Sequence, residues 1–148
     1  MDESILASIK KMLGLDPSYL PFDQDIIILI NSAFMTLHQL GVGPDEGFSI
    51  HNYSKTWRDF ITNKVMMNSV QEYVYMKVKM VFDPPGNSFV MSAMQDRCKE
   101  YEVRLNMQAE SIMKFDFMEE KKKPFINHIG SDYEPPYEVE DENLKLLV

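Results

Sequence analysis

The chain has 148 residues, 45% of them hydrophobic, and a formal net charge of −8 at pH 7. This is enough apolar material for one domain with its own core, which excludes a wholly disordered chain. Acid dominance argues against wrapping nucleic acid, because phosphate binding needs clustered Lys and Arg.

Ser4 is placed to cap a first helix. Ile5, Leu6, Ile9 and Leu13 follow at helical spacing, and Gly14 stands where a C-terminal glycine ends a helix. Asp16-Pro17 opens a loop. Asp23 is the next capping candidate, and Ile26, Ile27, Ile30, Phe34, Leu37 and Leu40 keep the 3.6-residue period up to Gly41. The apolar run Ile26–Ile30 also suits a buried strand, but the continuation to Leu40 favours helix. Gly41 to Gly47 reads as a loop. Its glycines lack the Lys-Ser/Thr pair and the strand–turn–helix frame of a phosphate cradle. Phe48 and Ile50 suit a short extended piece, and Ser54 caps a short helix carrying Trp57, Phe60 and Ile61.

Residues 68–82 carry two patterns. Val70, Val74, Val78 and Val81 share a helical face, whereas Val74, Met76, Val78 and Met80 alternate like a strand. The β-branched and aromatic content favours strand. The length favours helix, and helix is the expectation. Asp83-Pro84-Pro85-Gly86 ends it, since two prolines remove two backbone donors and push Asp83 out of helical geometry. Asn87 or Ser88 then caps a long helix. Its apolar face is expected to run through Val90, Met91, Met94, Cys98, Tyr101, Leu105 and Ile112. Gln95, Lys99, Glu102 and Asn106 stand on the other side, and Glu100 and Arg104 form an exposed i,i+4 pair.

The text changes beyond Ser111. Residues 114–148 hold nine acids and five lysines, so acidity per residue is higher there than in residues 1–113. Pro124, Gly130, Pro135 and Pro136 forbid one continuous helix. Yet Phe115, Phe117, Phe125, Ile126, Tyr133, Tyr137, Leu146 and Leu147 are too many large apolar groups for a solvated tail. They read as anchors that dock on a partner or a neighbouring subunit. The chain thus divides into a helical domain, 1–113, and an acidic, aromatic-rich tail, 114–148.

Candidate chemistry is sparse. None of His38, His51 and His128 has a metal-ligand partner at helical spacing on a predicted helix, so no metal site is expected. Cys98 falls in an apolar stripe and reads as core. It cannot form an internal disulfide, which fits synthesis in a reducing cytoplasm. The acid pairs Asp23/Asp25 and Asp45/Glu46 are unremarkable in a chain with 23 acids. Lys121-Lys122-Lys123, answered by Glu119 and Glu120, reads as a solvated helix end. Of the twelve methionines, core filling is the first expectation and adaptable contact surface the second. No basic start followed by an apolar run marks a signal peptide. The longest apolar stretch has five residues, against about 20 needed to span a bilayer.

Several segments together resemble the head–tail connector (adaptor) proteins of long-tailed bacteriophages. These are Ile5-Leu6-Ala7-Ser8-Ile9-Lys10-Lys11-Met12-Leu13-Gly14, Phe22-Asp23-Gln24-Asp25-Ile26-Ile27 and Ile30-Asn31-Ser32. Gln39-Leu40-Gly41-Val42-Gly43-Pro44, Gly47-Phe48, Trp57 and Asp59-Phe60 follow. Val81-Phe82-Asp83-Pro84-Pro85 and Glu102-Val103-Arg104-Leu105-Asn106 complete the series. The resemblance covers about residues 4–110 and contains no catalytic set. It implies a mostly α-helical subunit, in line with the all-α fold expected from the elements above, a small bundle of about five helices with a long C-terminal helix. The extended C-terminal tail, 114–148, departs from the family pattern, which does not account for it. The resemblance implies a non-enzymatic virion protein without cofactor, made in the host cytoplasm and assembled at the neck. There a homo-oligomeric ring, usually of twelve copies, sits between the portal protein and the stopper or tail-completion protein. DNA passes through the lumen without specific binding, and no membrane is involved. The alternative is a small acidic phage regulator or inhibitor that binds a host protein.

Overall fold

The computed structural model describes residues 2–122. Five helices follow in chain order: α1 (Ile5–Met12), α2 (Asp23–Gln39), α3 (Trp57–Phe60), α4 (Lys64–Phe82) and α5 (Ser88–Lys122). Among the described residues there is no strand. A single antiparallel bridge joins Ser4 to Thr56, with the Ile5 N–H on the Lys55 carbonyl at 2.9 Å. The expected all-α bundle of five helices is what forms.

Local chemistry sets the helix ends. Ser4 Oγ accepts from the Ala7 N–H at the start of α1. Gly14 and Gly41 end α1 and α2 with positive φ, +80° and +79°. At both ends two amides fold back on the last turn: Gly14 and Leu15 bond the Lys11 and Lys10 carbonyls, and Gly41 and Val42 those of His38 and Leu37. Two expected caps are corrected. Asp23 is the first residue of α2 and does not cap it; its carboxylate turns to Lys10. Thr56, not Ser54, precedes α3, and the Asp59 carboxylate reaches back to the Thr56 N–H at 2.7 Å. Asn63 caps α4 and Asn87 accepts from the Phe89 N–H at the start of α5.

The core lies between α1, α2, α3 and α4. Ile5, Leu6, Ile9, Ile26, Ile30, Phe34 and Leu37 are buried in the pattern read from the sequence. Each fully buried side chain of this kind contributes about 1.5–3 kcal/mol. Phe34 is the aromatic centre, 5.0 Å from Phe48, 4.7 Å from Phe60 and 6.2 Å from Trp57. In α4, Met66, Val70, Tyr73, Val74 and Val78 are buried at helical spacing, so length decided the state of this segment over β propensity.

The segment between α2 and α3 is irregular. Ile50 has no strand partner; its N–H and carbonyl both bond the Asn31 side chain, at 2.8 and 2.9 Å. Its Gly43 is forced by two constraints at once: φ is +93°, and an added Cβ would fall 2.2 Å from the Phe60 ring.

Lys10 is the least expected core residue. Its side chain is 0% exposed. The ammonium meets the Asp23 carboxylate at 2.6 Å, the Tyr53 hydroxyl at 2.7 Å and the carbonyls of Tyr19 and Pro17 at 2.6 and 3.0 Å. The Tyr53 hydroxyl in turn lies 2.8 Å from Asp23 Oδ2 and 2.9 Å from the Pro17 carbonyl. Burial opposes the charge on Lys10, but the bonds to Asp23 and Tyr53 outweigh it and hold its pKa above the ordinary 10.5.

Removing one partner leaves the other charge buried and unanswered. Lys10→Met is therefore expected to cost about 3–5 kcal/mol in urea denaturation. Lys10→Met with Asp23→Leu recovers part of that loss. Because the folded pKa is raised, the stabilisation is fully present below pH 10.5 and is lost as pH rises through the folded value. The Lys10→Met chain lacks this component of the alkaline fall. For glycine, Gly47→Ala meets open space at φ +86° and costs only the left-handed strain, about 1–2 kcal/mol. Gly43→Ala adds overpacking, about 1–3 kcal/mol more, and a Tm equal to that of Gly47→Ala would refute the close approach.

Candidate assembly surface

The half of α5 up to Ala109 is seated on the domain. Cys98, Leu105 and Ala109 are its buried residues, with Met94 and Tyr101 partly buried beside them. Val90 and Ile112, expected on the apolar face, are exposed. They lie near the two ends of the stretch that packs, where no neighbouring element among the described residues covers the helix.

Polar groups carry much of the attachment. The Tyr73 hydroxyl, on a fully buried ring of α4, donates to Glu102 at 2.8 Å. Burial and that carboxylate push its pKa well above the ordinary tyrosine value. Glu72 accepts from Arg97 at 2.7 Å and Tyr101 at 2.5 Å, which holds its carboxyl below the usual range. Asn106 Nδ2 donates to the Leu40 carbonyl at 3.1 Å, satisfying an end group of α2. Glu102 and Asn106 therefore belong to the packed side, contrary to the sequence expectation. The Glu100–Arg104 pair forms on the exposed side at 2.5 Å.

Beyond Ala109 the helix changes character. No residue from Glu110 to Lys121 is buried, although five of them are large apolar groups: Ile112, Met113, Phe115, Phe117 and Met118. Two predicted anchors fall here, Phe115 at 63% and Phe117 at 58% exposed. Two residues apart on a helix, they point to different faces. The Lys121 ammonium lies 4.6 Å from the centre of the Phe117 ring. The other six anchors, Phe125, Ile126, Tyr133, Tyr137, Leu146 and Leu147, lie outside the described residues, as do His128 and most of the acidic tail. Methionine is divided in the same way: Met66 and Met76 fill the core, whereas Met35, Met107, Met113 and Met118 are exposed.

The remaining chemistry-bearing groups do not converge. Cys98 is buried, and burial pushes its thiol up, away from the thiolate that a nucleophile needs. His38 and His51 are exposed. Among the described residues no group of three His, Cys, Asp or Glu is placed to hold a metal, and no helix is long and apolar enough to cross a membrane. An open hollow of about 430 Å³ beside α5 is lined by residues that include Ser69, Tyr101, Arg104, Leu105 and Gln108. Its groups include no nucleophile–base pair. Sequence reasoning missed Lys10, Tyr53, Tyr73 and Glu72. Each makes a hydrogen bond to a residue 29 to 43 places away in the chain, which local spacing does not reveal.

The model of the phage connector protein family matches residues 5–111. Neither the curated proteins nor the solved structures give a match. The matched span starts at the first residue of α1, takes in the Lys10 network, the Asn31 clamp and the seated half of α5, and stops just before Ile112. Over those 107 residues the chain belongs to the phage connector protein family, a family of structural head–tail connectors.

Proposed function

We propose that the protein acts by assembly: it forms a ring, of twelve copies, between the portal protein and the stopper or tail-completion protein at the virion neck. The observation that carries this is the family match over residues 5–111. A second supports it: α5 continues for three turns past its last buried residue and carries five large exposed apolar groups there. A surface of that kind is usual where a partner docks.

The net charge of −8 fits the same role. An acidic lumen repels phosphates, so DNA passes without sticking. The reading requires no reaction, cofactor or metal. Phe115 and Phe117, with the anchors from Phe125 to Leu147, form a docking segment for the portal or for a neighbouring copy. The position beneath the portal comes from the resemblance, and the docking role from composition and exposure.

Two measurements test this. Mass spectrometry of purified particles is expected to find the chain at a ring-like copy number. Negative-stain images of the protein mixed with portal are expected to contain rings. Absence from particles, together with no portal binding and no ring under any condition, would point to a regulator of a host protein instead. Truncation after Ser111 is expected to leave Tm within a few degrees, since none of residues 112–121 is buried, and to weaken the portal complex. A collapsed melt would place the removed segment in the core.

A further inference from the structure

Two exposed surfaces of this chain match each other in chemistry. The first lies where the α1–α2 loop meets the end of α4. Tyr19 packs on Phe22 with ring centres 5.5 Å apart, and Phe22 on Phe82 at 5.4 Å. Leu20 beside them is 61% exposed, Tyr19 48% and Phe22 39%. The patch is held in place from both sides. Lys10 bonds the carbonyls of Pro17 and Tyr19 from within. The end of α4 is fastened by the Asp83 N–H on the Lys79 carbonyl and by the Lys79–Asp83 ion pair. A rigid apolar patch loses little conformational entropy when a partner covers it. Asp16 and Asp25 flank its Tyr19–Phe22 segment in the chain. Both are exposed and neither makes a salt bridge among the described residues, Asp16 accepting from the Ser18 N–H and hydroxyl. Lys79 and Asp83 beside Phe82 are paired with each other.

The second surface is one face of the last turns of α5. Lys114, Phe117, Met118 and Lys121 stand at i, i+3, i+4 and i+7, which places them together. All four are exposed. Asp116, Glu119 and Glu120 fall on the other side of the helix at their own i, i+3, i+4 spacing. The face therefore offers two apolar groups between two cations, whereas the apolar segment Tyr19–Phe22 has an exposed aspartate on either side of it in the chain.

We propose that these two surfaces meet between copies: the Lys114–Phe117–Met118–Lys121 face of one chain docks on the Tyr19–Leu20–Phe22–Phe82 patch of the next. This rests on the ring reading and names its contact. Phe117 and Met118 cover Leu20 and Phe22, and Lys114 and Lys121 meet Asp16 and Asp25. The two surfaces are different, so the contact is heterologous. Such contacts repeat from copy to copy and close into a ring where the rotation between copies closes, whereas a self-complementary contact stops at a dimer.

The test uses the full chain. Leu20→Cys and Phe117→Cys are made separately in a Cys98→Ala background whose assembly equals that of the wild type, then mixed and oxidised. A cross-linked dimer is expected from the mixture and from neither chain alone. Surface charges give a second route that leaves the core untouched. Reversing Lys114 and Lys121 to Glu is expected to weaken assembly by about tenfold in native mass spectrometry at low salt. Combining that with Asp25→Lys, which keeps the Asp16–Ser18 bonds of the loop, is expected to restore part of it. Wild-type rings that neither cross-link at this pair nor respond to the reversal would overturn the contact and leave the ring reading standing. Normal rings that lose only portal binding on reversal would also overturn it, assigning the face to the portal. A wild-type chain that stays monomeric with and without portal would defeat the ring reading and this contact together.

Discussion

The Lys10 ammonium has no water to turn to, so four protein groups must reach it, from the α1–α2 loop, the start of α2 and the segment carrying Tyr53. An ammonium has three protons, and four acceptors lie within 3.0 Å, so there is an acceptor for each proton. A buried ion pair of this kind adds little net stability over a well-packed apolar core, but it is costly to leave half-made. Its effect is to permit one arrangement of the N-terminal elements. With Pro17 and Tyr19 held by their carbonyls, the side chains of Tyr19, Leu20 and Phe22 face outward at fixed positions. The same interaction thus closes the core and presents a surface.

The long helix α5 works differently along its length. Up to Ala109 it is attached through few apolar contacts and several specific polar ones: Tyr73–Glu102, Glu72 with Arg97 and Tyr101, and Asn106 with the Leu40 carbonyl. It passes close to the end of α2, where a Cβ added at Gly41 would stand in ordinary contact 3.7 Å from that of Ala109; the φ of +79°, not the approach, is what favours glycine there. Beyond Ala109 the sequence stays rich in Phe and Met while burial ends. One helix thus both packs on the domain and carries exposed large apolar groups past its last buried residue. The family match ends at almost the same place as the burial.

Polar groups in this protein mostly hold backbone. Asn31 clamps Ile50, Asn106 closes α2, Lys10 holds two loop carbonyls, and the Trp57 indole donates to the buried Ser8 hydroxyl at 2.8 Å. The same residue types suggest chemistry when read from the sequence alone. Asp23 is the clearest example: adjacency to Asp25 suggested an acid pair and its position a helix cap, yet its partner is thirteen residues earlier. Cys98 was read correctly as core because its place in an apolar stripe is a local property.

What the sequence by itself determined are the features that depend on near neighbours. Helical period located α1, α2, α4 and α5, glycine located the ends of α1 and α2, and paired prolines separated α4 from α5. The ordered motifs from Ile5 to Asn106 pointed to the family. Among the predicted anchors, Phe115 and Phe117 could be named from composition, though not the face each one occupies. Only the tertiary structure decided that Lys10 is buried, that Asp23 answers it, that Glu102 and Asn106 face inward, and where α5 stops packing. Those outcomes depend on which distant segments arrive to desolvate a side chain and offer it partners. Local spacing carries no record of that encounter.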